Sequence, residues 1–478
     1  MKKIFKYIFA SVAIMGTLQG CKKGYFDDLI QNPNQVTVPT LQSLLATGTT
    51  KAGVNSYTVS NNVTSNYVQY LASPSAASAS DTYETINFSG TWDVLYYAMA
   101  DANELKKLAT AQGASEYLGV ANALLAYNLI MVNDLWGSAP FTEAFQTNIL
   151  TPKYDSEQSV YNSTLSLIDQ AIVELSKTGA TIKLATGSDT MFGGDRTKWL
   201  KFAYMLKARQ LNKISKKSSY DPAAVLTAVG SSFTSNTDDA GMAVFVTRNF
   251  WASIAISNAA QSLGGWLSEQ LVDHLNGTTY GVADPRIAKI TDRAPVNNLY
   301  IGTVNGAGNR LPGANTAKDE CYISVNSPWT SNTAPIWIAT YAELKFIEAE
   351  AALRSNPVNR TRAYAAYLAG ITANMNKLGV ATVDQTAYLA NPAVAVGEAN
   401  LTLDLIFKEK FVATYLNPEA WNDARRYDYK YKDFTLPVNA VLPTFIRRLD
   451  FPLSERSENG ANVPADSPRS TNLWWDKP

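Results

Sequence analysis

Asp134 and Glu143 stand either side of a Trp-Gly and an Ala-Pro step in the stretch MVNDLWGSAPFTEAF, residues 131–145. Two carboxylates about 5–10 Å apart across a cleft are what glycoside hydrolysis requires. No base, nucleophile or metal ligand accompanies Asp134 nearby in the sequence. The stretch has a simpler reading as helix punctuation. Gly137 can take the left-handed conformation that closes a helix. Pro140 blocks its resumption and pushes Ala139 extended, and Trp136 can cover the exposed last turn. Other acids meet the same objection. Glu343, Glu348 and Glu350 share one predicted helix, with Glu348 and Glu350 pointing apart. Asp423 sits beside Arg425 and Arg426, and Glu455 is near Arg447, Arg448 and Arg456, so ion pairs are expected there. The single histidine, His274, leaves no His-rich metal site and argues against a Ser-His-Asp triad. It is expected to be a satisfied or exposed histidine near a turn. HExxH, P-loop, GxSxG and CxxC patterns are absent from the sequence. Asp238-Asp239 lacks EF-hand spacing. The expectation is no catalytic residue, no metal and no cofactor.

The elements that would position a site are mainly helical. Apolar residues recur at helical spacing over 93–111, 156–176, 196–215, 338–354, 362–378 and 401–417. The segment 116–135 is apolar nearly all round, which predicts a central helix. A further helix is expected within 40–52. These helices form neighbouring pairs, without a fixed sequence period that would establish repeats. Between about 218 and 335 the helical signal fades into Gly, Asn, Thr and aromatic residues, which predicts long loops with short strands. The tail, 430–478, is read as irregular.

Composition narrows the partners. The 41 Lys and Arg balance the 41 Asp and Glu, so no basic surface for nucleic acid is expected. Residues 1–20 carry Lys2, Lys3 and Lys6, then an apolar run from Tyr7 to about Leu18, the pattern of a secretory signal too short to span a membrane. It ends in Leu18-Gln19-Gly20-Cys21, which resembles a bacterial lipobox, so Cys21 is expected to carry a diacylglycerol. Acyl chains contribute about 0.8 kcal/mol per buried CH₂ and tether a protein without spanning the bilayer. Removing 1–20 removes three of the 41 basic residues and no acid, giving a net charge of −3. Residues 21–39 read as a polar linker. With Cys21 acylated, Cys321 has no partner and no disulfide is expected.

Several segments, in order, resemble the SusD/RagB-type nutrient-binding outer-membrane lipoproteins. They are TWDVLYYAMADANEL (91–105), NDLWGSAPFTEAF (133–145), DRTKWLKFAYMLKARQL (195–211), DPR (284–286), TYAELKFIEAEAALR (340–354), AYAAYLAGITANMNKLGV (363–380), EKFVATYLNPEAWNDARRYDY (409–429) and RRLDFPLSERSENGAN (447–462). The resemblance implies a mainly α fold: tetratricopeptide-like helix hairpins as scaffold, a loop-rich insert, few short strands, and a single domain over 40–478. It implies a lipid-anchored protein on the cell surface of a Bacteroidetes-type outer membrane. There it would capture oligosaccharides, or in some members peptides, for a SusC-like TonB-dependent transporter, without enzymatic activity. An exported helical glycoside hydrolase and a purely structural or adhesive lipoprotein are the remaining alternatives. The family's acidic export signal is displaced here, because Lys22-Lys23 precede Asp27-Asp28.

Sugar binding would fall to loop aromatics covering apolar C–H faces, with polar side chains taking hydroxyls. The candidates are Tyr83 and Phe88 before the first hairpin, and Trp251, Tyr280, Tyr300 and Trp329 in the insert. Asn309 and Arg310 join them as polar contacts, in the company of Asn249, Asn298 and Asn305. Trp92, Trp199, Trp421 and Tyr341 lie at core spacing. Trp474-Trp475 could pack the tail onto the domain.

Overall fold

The computed structural model describes residues 39–259, 264–309 and 319–478. The signal segment 1–20, Cys21, most of the linker and Arg310 lie outside these residues. Leu41–Pro478 form one compact unit.

Helical period and capping chemistry build the scaffold. The helices α1 (Leu41–Val59), α2 (Ser89–Ala111), α3 (Ser115–Trp136), α4 (Glu157–Ser176), α5 (Arg196–Lys213) and α6 (Pro222–Gly230) each pack against the next. Two short helices follow, α7 (Phe250–Ala259) and α8 (Glu269–Asn276). A second hairpin, α9 (Tyr341–Arg354) and α10 (Arg360–Lys377), packs on α5 and α6 through α9. It is followed by α11 (Thr382–Ala390), α12 (Leu403–Ala413) and α13 (Glu419–Arg426). Short polar side chains start several of these helices by accepting from backbone N–H groups: Ser156 for α4, Asp195 for α5, Asp221 for α6, Thr340 for α9 and Thr402 for α12. Every residue of α3 except Ser115 and Leu118 is buried, as its uniform apolarity predicts. Two small antiparallel pairs of strands accompany the helices. β1 (Leu71–Ala72) pairs with β3 (Trp266–Leu267), and β2 (Ala240–Met242) with β4 (Ile336–Ala339).

The differences from the sequence reading are local. The helix expected from 338 begins at Tyr341, because Ile336–Ala339 pair as β4 and Thr340 caps. The helix expected over 401–417 stops at Ala413, and Leu416 takes a positive φ before α13 begins. The region 218–335 holds α6, α7 and α8, each of ten residues or fewer, too short for a periodic signal to accumulate.

Gly137 closes α3 at φ +82°. A Cβ there would lie 2.6 Å from the Glu157 carboxyl carbon, so the stop is steric as well as conformational. Trp136 is buried and donates from Nε1 to the Asp450 carbonyl at 3.0 Å. Asp134 is structural. It pairs with Lys213 at 2.5 Å and accepts from Asn422 at 2.7 Å.

That pair belongs to a buried ionic lattice joining α5, α9, α12 and α13. Arg209 grips Glu343 with two hydrogen bonds of 2.8 and 2.7 Å. Arg426 grips Glu350 at 2.8 and 2.9 Å and also reaches Asp423 at 2.7 Å. Lys410 pairs with Asp423 at 2.8 Å. Burial alone would raise the Glu350 carboxyl, but Arg426 and Arg354 hold it well below the usual carboxylate range. Arg425 takes no part in pairing with Asp423; it donates to the carbonyls of Asp134 and Arg447 at 2.7 and 2.8 Å. Nor does Glu455 meet an arginine: it accepts from the Tyr154 hydroxyl at 2.8 Å, while Arg448 pairs with Glu157 at 3.0 Å. Trp92, Trp199 and Trp421 are core, whereas Tyr341 is half-buried beneath Lys345.

Removing one member of such a pair strands its partner. Arg209→Met is expected to cost about 3–5 kcal/mol of unfolding free energy, with Arg209→Met/Glu343→Leu recovering most of it. Urea melts of the two variants check this, and equal losses would contradict it.

His274 supplies a second expectation. It is buried, stacked 5.2 Å from Phe411 and edge-on to Tyr280, and burial with help from Lys408 lowers its pKa to about 3. Glu409 and Arg286 are its other charged neighbours. Burial opposes ionisation of Glu409 too, but Lys408 and Arg286 more than offset it and hold that carboxyl at about 2. An unfolded histidine protonates near pH 6.5, roughly, and unfolded glutamate near 4.3. The unfolded chain therefore binds protons that the folded chain refuses, and stability falls as pH drops. The His274 contribution is lost between about 6.5 and 3, and the Glu409 contribution from about 4.5 downward. Thermal melts from pH 7.5 to 4 should show the decline, and His274→Leu should flatten its upper part. Parallel curves for parent and variant would refute a neutral buried imidazole.

Candidate ligand-binding site

Loops distant in sequence converge beside α8 because one buried carboxylate needs donors. Asp81 accepts from the Ser73 amide at 2.8 Å, the Asn66 side chain at 2.7 Å and the Gly306 amide at 3.1 Å. Burial raises its pKa, and these bonds restrain the rise. The backbone continues the joint. Ala77 donates to the Gly306 carbonyl at 2.8 Å, Asn309 to Pro74 at 2.9 Å, Val438 to Asn305 at 2.9 Å and Val441 to Thr82 at 2.9 Å. Gly306 sits at φ +81°, and a Cβ there would lie 1.9 Å from the Val438 carbonyl oxygen, so only glycine fits.

Two concavities open from this junction. The first, about 300 Å³, is lined by Gln69, Ser268, Glu269, Gln270, Asp273, Thr278, Thr279, Asn305, Asp433 and Thr435, with Leu436, Pro437, Val304 and Val438. Its amides are oriented by the fold: Gln69 donates to the Thr435 carbonyl at 2.7 Å and Gln270 to Lys432 at 3.2 Å. The lining is rich in acceptors for hydroxyl hydrogens and holds no ring. The second, about 940 Å³, is a more open cleft whose lining includes Asn276, Thr278, Arg293, Leu299, Tyr300, Asp384, Tyr388 and Asn391. Thr278 lines both. The Arg293 guanidinium lies 4.4 Å from the Tyr300 ring centre, forming a flat, cationic platform. Behind this cleft the Asp284-Pro285-Arg286 turn is fixed by Arg286, which donates to Asp284 at 2.9 and 3.0 Å and to Glu409 on α12.

The structure divides the candidate residues. Tyr83 is 0% exposed and packs edge-on to Tyr67; Trp251 is 2% exposed, packs edge-on to Tyr57 and lies on α7 rather than in a loop. Trp329 is buried and donates to the Tyr415 carbonyl at 2.9 Å, and Phe88 is buried at the start of α2. These four rings are core and present no free face. Tyr300 lines the open cleft. Tyr280 is half-buried and lines neither concavity; its hydroxyl accepts from the Lys432 amide at 3.3 Å, and burial raises its pKa to about 12. Asn309 is half-buried and donates to Glu320. Asn249 and Asn305 are buried and brace backbone: Asn249 donates to Ala334 at 2.7 Å and Asn305 to Leu71 at 2.9 Å. Asn298 holds a positive-φ turn. Arg310 is outside the described residues. Sequence reasoning missed Arg293, Gln69, Asp433 and Asp384; nothing in their local sequence marks them, since the loops and the helix α11, which carries Asp384, are brought together only in three dimensions.

The fold is that of a helix-hairpin scaffold carrying a loop-built polar face. Comparison with known proteins gives the family. A SusD-like family described as starch-binding, associating with the outer membrane, matches residues 33–452, and the chain belongs to that family. Solved structures share the fold. A chitin-binding SusD homolog from Flavobacterium johnsoniae is 22% identical with a TM-score of 0.76, over 91% of this chain and 98% of that one. A SusD/RagB family protein from Bacteroides thetaiotaomicron is 23% identical with a TM-score of 0.71, over 92% and 99%. A SusD homolog from Bacteroides uniformis is 21% identical with a TM-score of 0.73, over 92% and 99%. No curated protein matches the chain.

Asp81→Ala leaves the Ser73 and Gly306 amides without an acceptor. The expected loss is about 1–3 kcal/mol, with faster hydrogen exchange concentrated at those two amides. Unchanged exchange at both positions would show that the loops are held by other means.

Proposed function

We propose that this protein is a lipid-anchored cell-surface protein that captures oligosaccharides and passes them intact to a SusC-like TonB-dependent transporter. The observation that carries the reading is the family match over residues 33–452, with its description of starch binding in association with the outer membrane. The chitin-binding neighbour points to the same ligand class. On this reading residues 1–20 are a signal peptide, Cys21 carries the lipid, residues up to 39 are the tether, and 40–478 are the binding domain. The ligand lies across the Tyr300–Arg293 platform and extends toward the polar cavity through the wall they share at Thr278. Tyr280 and Asn309 flank that path, and Arg310 follows Asn309 in the chain.

The buried carboxylates support capture rather than cleavage. Glu343, Glu350, Asp423 and Asp134 are each committed to a buried cation, which leaves none of these four free to shuttle a proton. A ring that removes about 40 Å² of sugar surface from water contributes about 1 kcal/mol. A few such contacts with hydrogen bonds give roughly millimolar to micromolar affinity, suited to release.

Calorimetric titration of the mature chain with Cys21→Ser against oligosaccharide and short-peptide panels tests this. Saturable oligosaccharide binding without cleavage is expected, and Tyr300→Ala should weaken it about fivefold, the equivalent of about 1 kcal/mol. Binding unaltered by Tyr300→Ala would remove the cleft from the reading. Cleavage products in the cell would replace capture with hydrolysis, and peptide binding alone would change the ligand class.

A further inference from the structure

The balance of donors and acceptors in the polar cavity beside α8 narrows the kind of sugar it can hold. Gln69 and Gln270 both line it, and they are 5% and 8% exposed. Each spends its side-chain nitrogen on a backbone carbonyl, Gln69 on Thr435 at 2.7 Å and Gln270 on Lys432 at 3.2 Å. Turning either amide over would set its oxygen against another acceptor, so the orientation is fixed. Neither Oε1 has a hydrogen-bond partner among the described residues, and neither is shut off from solvent. Two side chains more than nine-tenths buried thus present open acceptors to whatever enters.

Charge points the same way. Asp433 is exposed at the cavity, with no hydrogen-bond or ion-pair partner among the described residues. Glu269 and Asp273 add carboxylates to the wall, and none of the lining residues is basic. The hydroxyls of a neutral sugar bring lone pairs that need donors, and both amide nitrogens are already used. An ammonium group brings three donors and no acceptor. The volume, about 300 Å³, suits a sugar residue rather than a bare cation. Nor, among the described residues, do three His, Cys, Asp or Glu side chains gather to hold a metal ion.

We propose that this cavity is a subsite for an amino sugar whose amino group is free and protonated. Asp433 supplies the counter-charge, and Gln69 Oε1 and Gln270 Oε1 accept donors of the same sugar residue. The wall shared at Thr278 lets the rest of the oligosaccharide run into the open cleft. The inference rests on the proposed capture of oligosaccharides and names the sugar that this end of the site selects. N-acetylation removes the charge and adds an acceptor, so it works against binding here.

The test uses mature protein with Cys21→Ser at about pH 6, where an amine titrating like an α-amino group, near about 7.7–8, is protonated. Calorimetric titrations compare tri-glucosamine, tri-N-acetylglucosamine and maltotriose, with calcium chloride as a separate titrant. Tri-glucosamine is expected to bind at least about fivefold more tightly than either neutral trisaccharide. Asp433→Asn should cut that preference to about twofold or less. Its thermal melt should match the parent's, because the lost carboxylate holds no other side chain. Equal affinity for charged and neutral trisaccharides, or a preference that survives Asp433→Asn, overturns the proposal and leaves capture standing. Calcium binding below about 1 mM that Asp433→Asn abolishes would make the cavity a cation site and overturn it as well. If tri-glucosamine fails to bind by about 1 mM the proposal falls, and the wider oligosaccharide panel decides capture separately.

Discussion

The burial of paired charges between α5, α9, α12 and α13 governs this structure. Taking a guanidinium and a carboxylate out of water costs several kcal/mol per ion, about as much as their attraction returns. Such pairs do little for net stability compared with apolar packing. What they impose is geometry, because only one register of the helices leaves every charge satisfied. Arg426 must meet Glu350 of α9 and Asp423 of its own helix, and Lys410 of α12 must meet Asp423 as well. A one-turn slip of α9 would strand Glu343 from Arg209 and Glu350 from Arg426 together.

The lattice reaches the candidate binding face through α12. Glu409 and Lys408 are adjacent there, and Glu409 accepts from Arg286, from Lys408 and from the Tyr388 hydroxyl. Arg286 belongs to the turn behind the open cleft, and Tyr388 and Asp284 line that cleft. The position of the loops after α8 is thus set by charges on a scaffold helix. Asp81 plays the corresponding part on the other side, where it gathers backbone N–H groups from two loops. Each mobile-looking segment is referred to a buried carboxylate, which is how loops without regular hydrogen bonding keep a fixed shape.

The legible and illegible parts of the sequence follow from this. Helical spacing and caps are local, so the scaffold was readable, and Gly137 and Pro140 marked the end of α3 correctly. The all-apolar run before them identified the central helix. Ring chemistry is not local. Tyr83, Phe88, Trp251 and Trp329 share residue type and turn-rich neighbours with Tyr300, yet they fill the core while Tyr300 lines a cleft. Burial of a ring depends on what folds over it, and α7, too short to announce itself, is what places Trp251 inside. Glu455 failed for a related reason: three arginines nearby in sequence each found a different acid in space. Arg293 carried no sequence signal because its meaning comes from stacking on Tyr300, which only the turn at Asn298 produces.

The two clefts differ in a way that bears on the proposed transfer to a transporter. The polar cavity is small, with hydrogen-bonding groups already oriented by the fold, so a sugar entering it exchanges water contacts for protein contacts with little reorganisation. The Tyr300 cleft is larger and more open, so a ligand there stays partly hydrated and gains mainly from ring contact. Affinity differences among related complexes arise mostly in dissociation rate. A ligand spread across both would leave the open end first, exposing that end while the other remains held. On the proposed reading, capture from one side and surrender from the other would need no change in the fold, only a competitor for the exposed end.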